Sequence, residues 1–189
     1  MADGLFSALE TTRLVLREFR EDDADFVLRH FSDPDVARYL YDAEPFSTLV
    51  EALELIRWYA PVPNPNRNRW VIVPKDAGVP VGTLGFHRCD RTNRIAEIDY
   101  DLAPAVWGQG YMTEALAAAI AHGFSVMELN RIEAFISPDN ARSLALTDRA
   151  GFQREGVMRD KNFFRGQYYD HWCVSLLRRE WLQRETVPG

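Results

Sequence analysis

Cysteine is nearly absent: Cys89 and Cys173 are the only two in 189 residues. Two thiols make no disulfide framework, so the chain reads as intracellular and reduced, with the cytoplasm as its expected address. The opening "MADGLFSALETTRL" lacks a basic segment leading into an apolar one, so no signal peptide is expected. No apolar run approaches the ~20 residues of a membrane span. Basic charge is also short. Against 28 Asp and Glu stand 22 Lys and Arg, for a net charge of −6. That argues against nucleic acid or an anionic membrane as the main partner and suits cationic substrates. His30, His87, His122 and His171 fall at no ligand spacing, so no metal is expected. Repeats, low-complexity tracts and linkers are missing too, which leaves one domain. Its 47% hydrophobic content allows a substantial core.

What is present divides at residue 104. Before it the pattern is antiparallel. "TRLVLREF" (12–19) alternates Leu14 and Leu16 with wetter neighbours, as a half-buried strand does. "EDDADFVLRHF" opens with acids, as a helix start prefers. "DPDVARYL" places Pro34 at a first helical position. "STLVEALELIRWYA" (47–60) predicts a helix with Ser47 as N-cap and a stripe of Leu49, Leu53, Ile56 and Ala60. "PVPNPNRNR" (61–69) reads as a loop. "RWVIVPK" and "VPVGTLGFHRC" form a hairpin around "DAG", and "RIAEIDYDL" (94–102) is a third strand beside them. After residue 104 the pattern is strand, helix, strand. "GYMTEALAAAIAHGFSVM" (110–127) is an amphipathic helix and "RIEAFIS" (131–137) the next strand, giving one βαβ unit. "NARSLALTDRAGF" is a short helix stopped by Gly151. "FQREGVMR" and "YYDHWCVSLLRREW" are two strands around a loop rich in aromatics. The fold class is α/β: one domain, a mixed, mostly antiparallel sheet, helices on both faces.

The stretch "PAVWGQGYMTEAL" (104–116) sits where the third strand becomes a helix. Glycines at such a turn let the backbone approach a ligand closely, and the first amides of a helix are ready donors to an anion. A Walker loop needs a Gly-Lys-Ser/Thr ending, which is absent. A dinucleotide fingerprint fits Gly108 and Gly110, with Asp139 as a ribose ligand, but its third glycine is Thr113. A tight turn with no ligand is the remaining alternative.

The whole chain resembles the GNAT superfamily of N-acetyltransferases, and within it the ribosomal-protein N-terminal acetyltransferase-like branch. The likeness spans about residues 12–181 and rests on the order of "ETTRLVLREFREDDADF", "VGTLGFH", "AEIDYDLAPAVWGQGYMTEAL", "SPDNARSLALTDRAGFQREG" and "YYDHWCVSLL". It implies acetyl-CoA as cosubstrate and an amine acceptor, above all a protein or peptide N-terminus. It also implies that the turn of Trp107, Gly108, Gln109, Gly110, Tyr111, Met112 and Thr113 holds the CoA pyrophosphate through backbone amides. The superfamily expects a small residue where Met112 stands, so Met112 is expected to crowd the turn. The resemblance places the Leu102 amide at the thioester carbonyl, and Asn140 and Ser143 at the pantetheine arm. Asn140 is equally a plain N-cap. Many members carry a Tyr seven residues after this Asn to protonate the thiolate. Here that position is Thr147, and Ser143 is the implied replacement.

An amine must be neutral to attack, so a base is needed. Glu97, Asp99 and Asp101 share one face of their strand, ~6–7 Å apart, an arrangement that raises carboxylate pKa values. Glu97 matches the general base of the histone-acetylating members. Glu155 matches an acid proposed for that role in the ribosomal-protein branch. A solvated structural acid is the alternative for each. Cys173, between Trp172 and Val174, reads as a buried small hydrophobe. Cys89 sits in a wetter setting with no base placed beside it. Trp58, Tyr59, Phe163, Phe164, Tyr168 and Tyr169 line an acceptor cleft, fill the core or form a dimer contact. The domain is expected over 12–181, with an extension at 1–11, a tail at 182–189, and a homodimer as one assembly. A non-catalytic acyl-CoA-binding domain, a polyamine or aminoglycoside acetyltransferase and an NAD-binding protein are the rival functions.

Overall fold

The structure is a computed structural model that describes residues 7–41, 43–59 and 66–185. Eight strands form one sheet: β1 (Leu9–Glu10), β2 (Leu14–Arg17), β3 (Asn68–Pro74), β4 (Gly82–Asp90), β5 (Ile95–Leu102), β6 (Arg131–Ile136), β7 (Gln153–Phe164) and β8 (Gln167–Leu177). Their order is β1-β2-β3-β4-β5-β6-β8-β7. Every neighbouring pair is antiparallel except β5 and β6, which run parallel. Between those two the chain crosses over through α4 (Tyr111–Ser125), the expected βαβ unit. The remaining helices are α1 (Ala24–Ser32), α2 (Pro34–Ala37), α3 (Leu49–Tyr59), α5 (Ala141–Ala150) and α6 (Arg178–Glu185).

Strand alternation divides the core. Leu14, Leu16, Ile72, Leu84, Phe86, Ala96, Ile98 and Ile132 face Leu116, Ala119, Ile120 and Phe124 of α4, with Leu144 and Leu146 of α5 beside them. Val71 and Val73 point the other way, onto Phe26, Val27 and Phe31 of α1 and Ala52 and Ile56 of α3. Burial of this much apolar surface is the main favourable term in folding.

Three local readings need correction. The cap of α3 is Thr48, whose Oγ1 accepts from the Glu51 amide at 3.3 Å while the Glu51 carboxylate accepts from the Ser47 and Thr48 amides. Thr48 and Glu51 have the capping-box spacing, which outcompetes a Ser one residue earlier. The buried stripe of α3 is accordingly Ala52 and Ile56, and Leu49 is exposed. The aromatic loop near the C-terminus is instead the two arms of one hairpin, closed by Arg165 and Gly166 at positive φ. Cross-strand aromatic pairs suit such arms. "RREW" is helical, the start of α6. The expected loop at 61–69 lies mostly outside the described residues.

One polar network crosses the α1 side of the sheet. Asp101 of β5 is buried, with His30 Nε2 of α1 at 2.5 Å from Oδ1 and Arg69 Nη2 of β3 at 2.5 Å from Oδ2. Thr83 of β4 donates its amide and hydroxyl to the same carboxylate at 3.0 and 2.7 Å. Arg69 also donates to Asp99 at 2.7 Å, and His87 Nε2 lies 2.6 Å from Asp99. The expectation that neighbouring acids raise one another fails at Asp99 and Asp101. Burial does push both up, but the facing cations outweigh it, Arg69 and His87 at Asp99 and His30 and Arg69 at Asp101, so both sit below the usual carboxylate range.

Removing Asp101 strands His30 and Arg69 in a dry interior. Asp101→Asn should therefore cost roughly 3–5 kcal/mol of stability in a denaturant titration. Lowered pKa values also fix the sign of the pH dependence. The stability contributed by Asp99 and Asp101 is fully present above about pH 4, where unfolded aspartates are ionised, and is lost as pH falls through their lower native values. An Asp101→Asn variant with wild-type stability would contradict this account.

Candidate functional site

The parallel pair stops pairing while both of its strands run on. Pairing of β5 with β6 runs Ile95↔Arg131, Ala96↔Ile132 and Glu97↔Glu133, whereas β4 follows β5 as far as Leu102 and β8 follows β6 as far as Ile136. Beyond Glu97 and Glu133 the two strands splay. Ligands in α/β sheets bind outside the carboxyl ends of parallel strands. Here both ends lead into helix starts: β5 into α4 and β6 into α5. Two helix N-termini thus flank the splay, each with amides that precede the first intrahelical bond and a positive dipole end.

At α4 the local geometry is set by Gly108 and Gly110, at φ 78° and 79°. Both lie in the left-handed region that side chains avoid. Gly110 is the N-cap, and the first intrahelical bond runs from the Glu114 amide to its carbonyl. The amides of Tyr111, Met112 and Thr113 precede that bond. Gly108, Gln109, Gly110 and Thr113 are solvent-exposed. The Met112 side chain, expected to crowd the turn, is buried in the α4 core. Helical geometry turns it toward the sheet, away from the amides.

Three residues shape this turn, and sequence reasoning passed over two of them. Arg13 donates to the Gln109 carbonyl at 2.9 Å and to Glu114 at 2.7 Å. Because a trans peptide opposes its C=O and N–H, that bond aims the Gly110 amide away from Arg13. Trp107 donates its indole N–H to the Leu102 carbonyl at 2.7 Å. Arg142 of α5 stacks over the Trp107 ring at 4.3 Å, tying the two helix starts together. Leu102 itself is oriented by the ladder. The Ala103 amide bonds Val81 beside β4. Neighbouring residues alternate edges, so the Leu102 amide faces the splay.

At α5, Asn140 is the N-cap: its side chain accepts from the Ser143 amide at 3.1 Å. The Ser143 hydroxyl lies 2.7 Å from the hydroxyl of Tyr100 on β5. This pair spans the splay on the α4 side. Thr147 is buried and its hydroxyl is spent on the Ser143 and Leu144 carbonyls. Burial pushes the Tyr100 phenol up to about 12, with the Ser143 bond opposing. Tyr100 is not among the residues that the sequence singles out. Nothing in the spacing of 100 and 143 announces their contact.

Glu97 lies on the opposite face of the sheet, at the apex of the splay. Arg88 donates to it at 3.0 Å. Burial raises its pKa, and the charges of Arg88 and Lys161 hold back the rise. Glu155 is differently placed. Arg131 grips it with two bonds of 2.6 and 2.7 Å, and Ser175 donates at 2.7 Å. Those bonds hold its carboxyl down at about 2, which makes it a poor proton acceptor. Cys173, expected to be buried, is half-buried with its thiol against Glu155 and Arg131.

The aromatic set also divides. Phe163 and Tyr168 pair with each other on the exposed side of the hairpin. Phe164 and Tyr169 face the other way and line a cavity of about 180 Å³ with Tyr41, Leu40, Arg38 and Arg165. The Tyr41 ring stacks on Tyr169 at 3.9 Å, and its hydroxyl lies 3.5 Å from Ser137, just past β6. Trp58 is exposed under the guanidinium of Arg67, and Tyr59 touches His87 within the network. Among the described residues no helix is long and apolar enough to cross a membrane.

Comparison with known proteins agrees with this geometry. The family "Acetyltransferase (GNAT) domain" matches residues 13–153. The uncharacterized N-acetyltransferase p20 of Bacillus licheniformis is 37% identical over 174 residues, 92% of this chain and 97% of that protein. The putative ribosomal N-acetyltransferase YdaF of Bacillus subtilis is 38% identical over 100 residues, 53% of this chain and 55% of that protein. A crystal structure of spermidine N-acetyltransferase from Vibrio cholerae in complex with CoA and spermine shares the fold. It is 22% identical with a TM-score of 0.80, covering 91% of this chain and 99% of that one. A mixed sheet split between two helix starts, with these relatives, defines an N-acetyltransferase. The chain belongs to the GNAT family.

The clamp on Glu155 generates a prediction. Glu155→Gln should leave the acidic limb of the pH–rate profile of acetyl transfer in place, because that carboxyl is already ionised throughout the neutral range. Loss of the limb in this variant would make Glu155 the base.

Proposed function

We propose that the chain transfers the acetyl group of acetyl-CoA to a primary amine, by direct attack within a ternary complex. One observation carries the reading: the β5–β6 ladder stops at Glu97 and Glu133, with the helix starts on one side of the sheet and Glu97 on the other. In this reading the amides of residues 109–113 bind the pyrophosphate, as helix N-termini bind phosphates elsewhere. Asn140 and Ser143 contact the pantetheine arm. The Leu102 amide receives the thioester carbonyl oxygen, and charge grows there as the amine attacks. Its own carbonyl is occupied by Trp107, which fixes that peptide in advance. Ser143, bonded to Tyr100, returns a proton to the departing thiolate. Glu97 takes the proton of the amine, and its raised pKa brings it closer to neutral operation.

For the acceptor we favour a protein or peptide N-terminus. Of the three acids on one face of β5, Asp99 and Asp101 are paired internally, by Arg69, His30 and His87. The cavity beside Ser137 is lined by aromatic and apolar groups with Arg38 and Arg165, and by no acid among the described residues. Such a lining suits a peptide side chain better than a polycation. The spermidine enzyme from Vibrio cholerae keeps a small polyamine as the second reading. A panel of N-terminal peptides, spermidine and an aminoglycoside, read by release of free CoA thiol, decides between them. Peptide turnover is expected. CoA binding with silence across the panel would favour a non-catalytic acyl-CoA-binding domain, and NAD binding without CoA binding would end the reading.

Roles separate by substitution. Glu97→Gln should lower kcat by about 10²–10⁴-fold with CoA affinity unchanged and the acidic limb lost. Tyr100→Phe and Ser143→Ala should each slow turnover, and the double variant should be no slower than the worse single one, as for groups acting in one relay. Full activity of Glu97→Gln at neutral pH would remove the base from this scheme.

A further inference from the structure

Lysine is rarer than the basic total suggests. Of the 22 Lys and Arg, only Lys75 and Lys161 are lysines. An arginine stays protonated at any physiological pH, so it never becomes a nucleophile, whereas a lysine does once it gives up a proton. Lys75 is remote from the cleft, bonded to Glu10 and the Thr11 carbonyl beside the outer strand β1.

Lys161 stands at the splay. The β7–β8 ladder shifts register between Met158↔His171 and Asn162↔Tyr169, so three residues of β7 oppose one of β8. Within this bulge Asp160 adopts φ 55°, and its amide donates to Asp170 at 2.9 Å. Bulges re-aim side chains, and this one sends Lys161 across the sheet. Its Nζ sits 4.0 Å from the centroid of the Phe135 ring. Phe135 lies on β6 two residues past Glu133, the last residue of β6 paired with β5. Strand alternation puts it on the same face as Glu97. A primary amine of the chain thus rests on an aromatic face where β6 has just left β5, on the side from which an acceptor approaches.

We propose that Lys161 is an autoacetylation site, an internal acceptor for the acetyl group of bound acetyl-CoA. The proposal rests on the reading that acetyl-CoA occupies the splay. In the step, the ammonium first loses a proton to a base. The neutral Nζ then attacks the thioester carbonyl carbon. A C–N bond forms, the C–S bond breaks, and the second proton that the nitrogen sheds ends on the thiolate. The products are Nε-acetyl-lysine and CoA thiol, with no change of oxidation state. The modified side chain is neutral, so it loses its hold on Phe135 and withdraws a positive charge from the surroundings of Glu97.

The test incubates the full chain with acetyl-CoA and follows intact mass and peptide maps. CoA titration and turnover of an added amine are measured on the same sample. One acetyl group should appear at Lys161, about 100-fold faster than at Lys75, as for an amine held beside its target. Excess CoA should suppress it at Lys161 and leave the slow modification of Lys75 unchanged. The fraction modified per unit time should not depend on protein concentration. Lys161→Arg should abolish the fast phase. A chain that binds CoA and acetylates the added amine but leaves Lys161 unmodified overturns the proposal alone. So does equal modification of Lys75 and Lys161 that excess CoA does not suppress, or a rate that rises with protein concentration. Failure to bind CoA overturns both the proposal and the reading beneath it.

Discussion

The site depends on where two parallel strands stop pairing. After Glu97 and Glu133, β5 and β6 diverge, and each keeps its ladder only on the outer side. The inner edges of Ile98–Leu102 and Ala134–Ile136 then carry main-chain groups with no strand between them. Buried backbone groups seek partners, so a split of this kind suits an extended ligand with amides of its own. The same split has different groups on the two faces of the sheet. Helix starts and the Tyr100–Ser143 pair lie on one side, and Glu97, Phe135 and Lys161 lie on the other. Such an arrangement suits a reaction that brings two substrates together.

Keeping β5 apart from β6 requires holding it elsewhere. The network of Asp101, Arg69, His30 and Thr83 does that, anchoring the carboxyl half of β5 to β3, β4 and α1. Buried charges are tolerated only when paired and hydrogen-bonded, and here every carboxylate oxygen of Asp101 is met. Arg13 and Trp107 extend the same logic to the turn, each fixing one peptide carbonyl. The carboxyl half of β5 and the turn are thus arranged by side chains packed beside them.

Much of this was legible in the sequence. Period-two and period-3.6 patterns placed the strands and helices, the change at residue 104 marked the βαβ unit, and the glycines of 108 and 110 marked the turn. Those signals are local. The misses were of another kind. The acids of β5 were read as mutually repelling because Arg69 and His30 are distant in sequence. The clamp of Arg131 on Glu155, 24 positions away, has no counterpart in the local pattern. Tyr100 and Ser143 are 43 positions apart, and Lys161 reaches Phe135 only through a bulge that no composition rule forecasts. Partners made by tertiary folding set the chemistry, and single-strand patterns do not encode them.

The central claim is that the splay and its two helix starts form one continuous binding surface for CoA. The most direct measurement follows backbone amide resonances of isotopically labelled protein during titration with CoA. The account predicts that the largest shifts fall on residues 98–102, 109–113, 134–136 and 140–143, and that NAD produces none of them. Shifts confined to other parts of the fold, or amides of 98–102 that do not respond to saturating CoA, would contradict it.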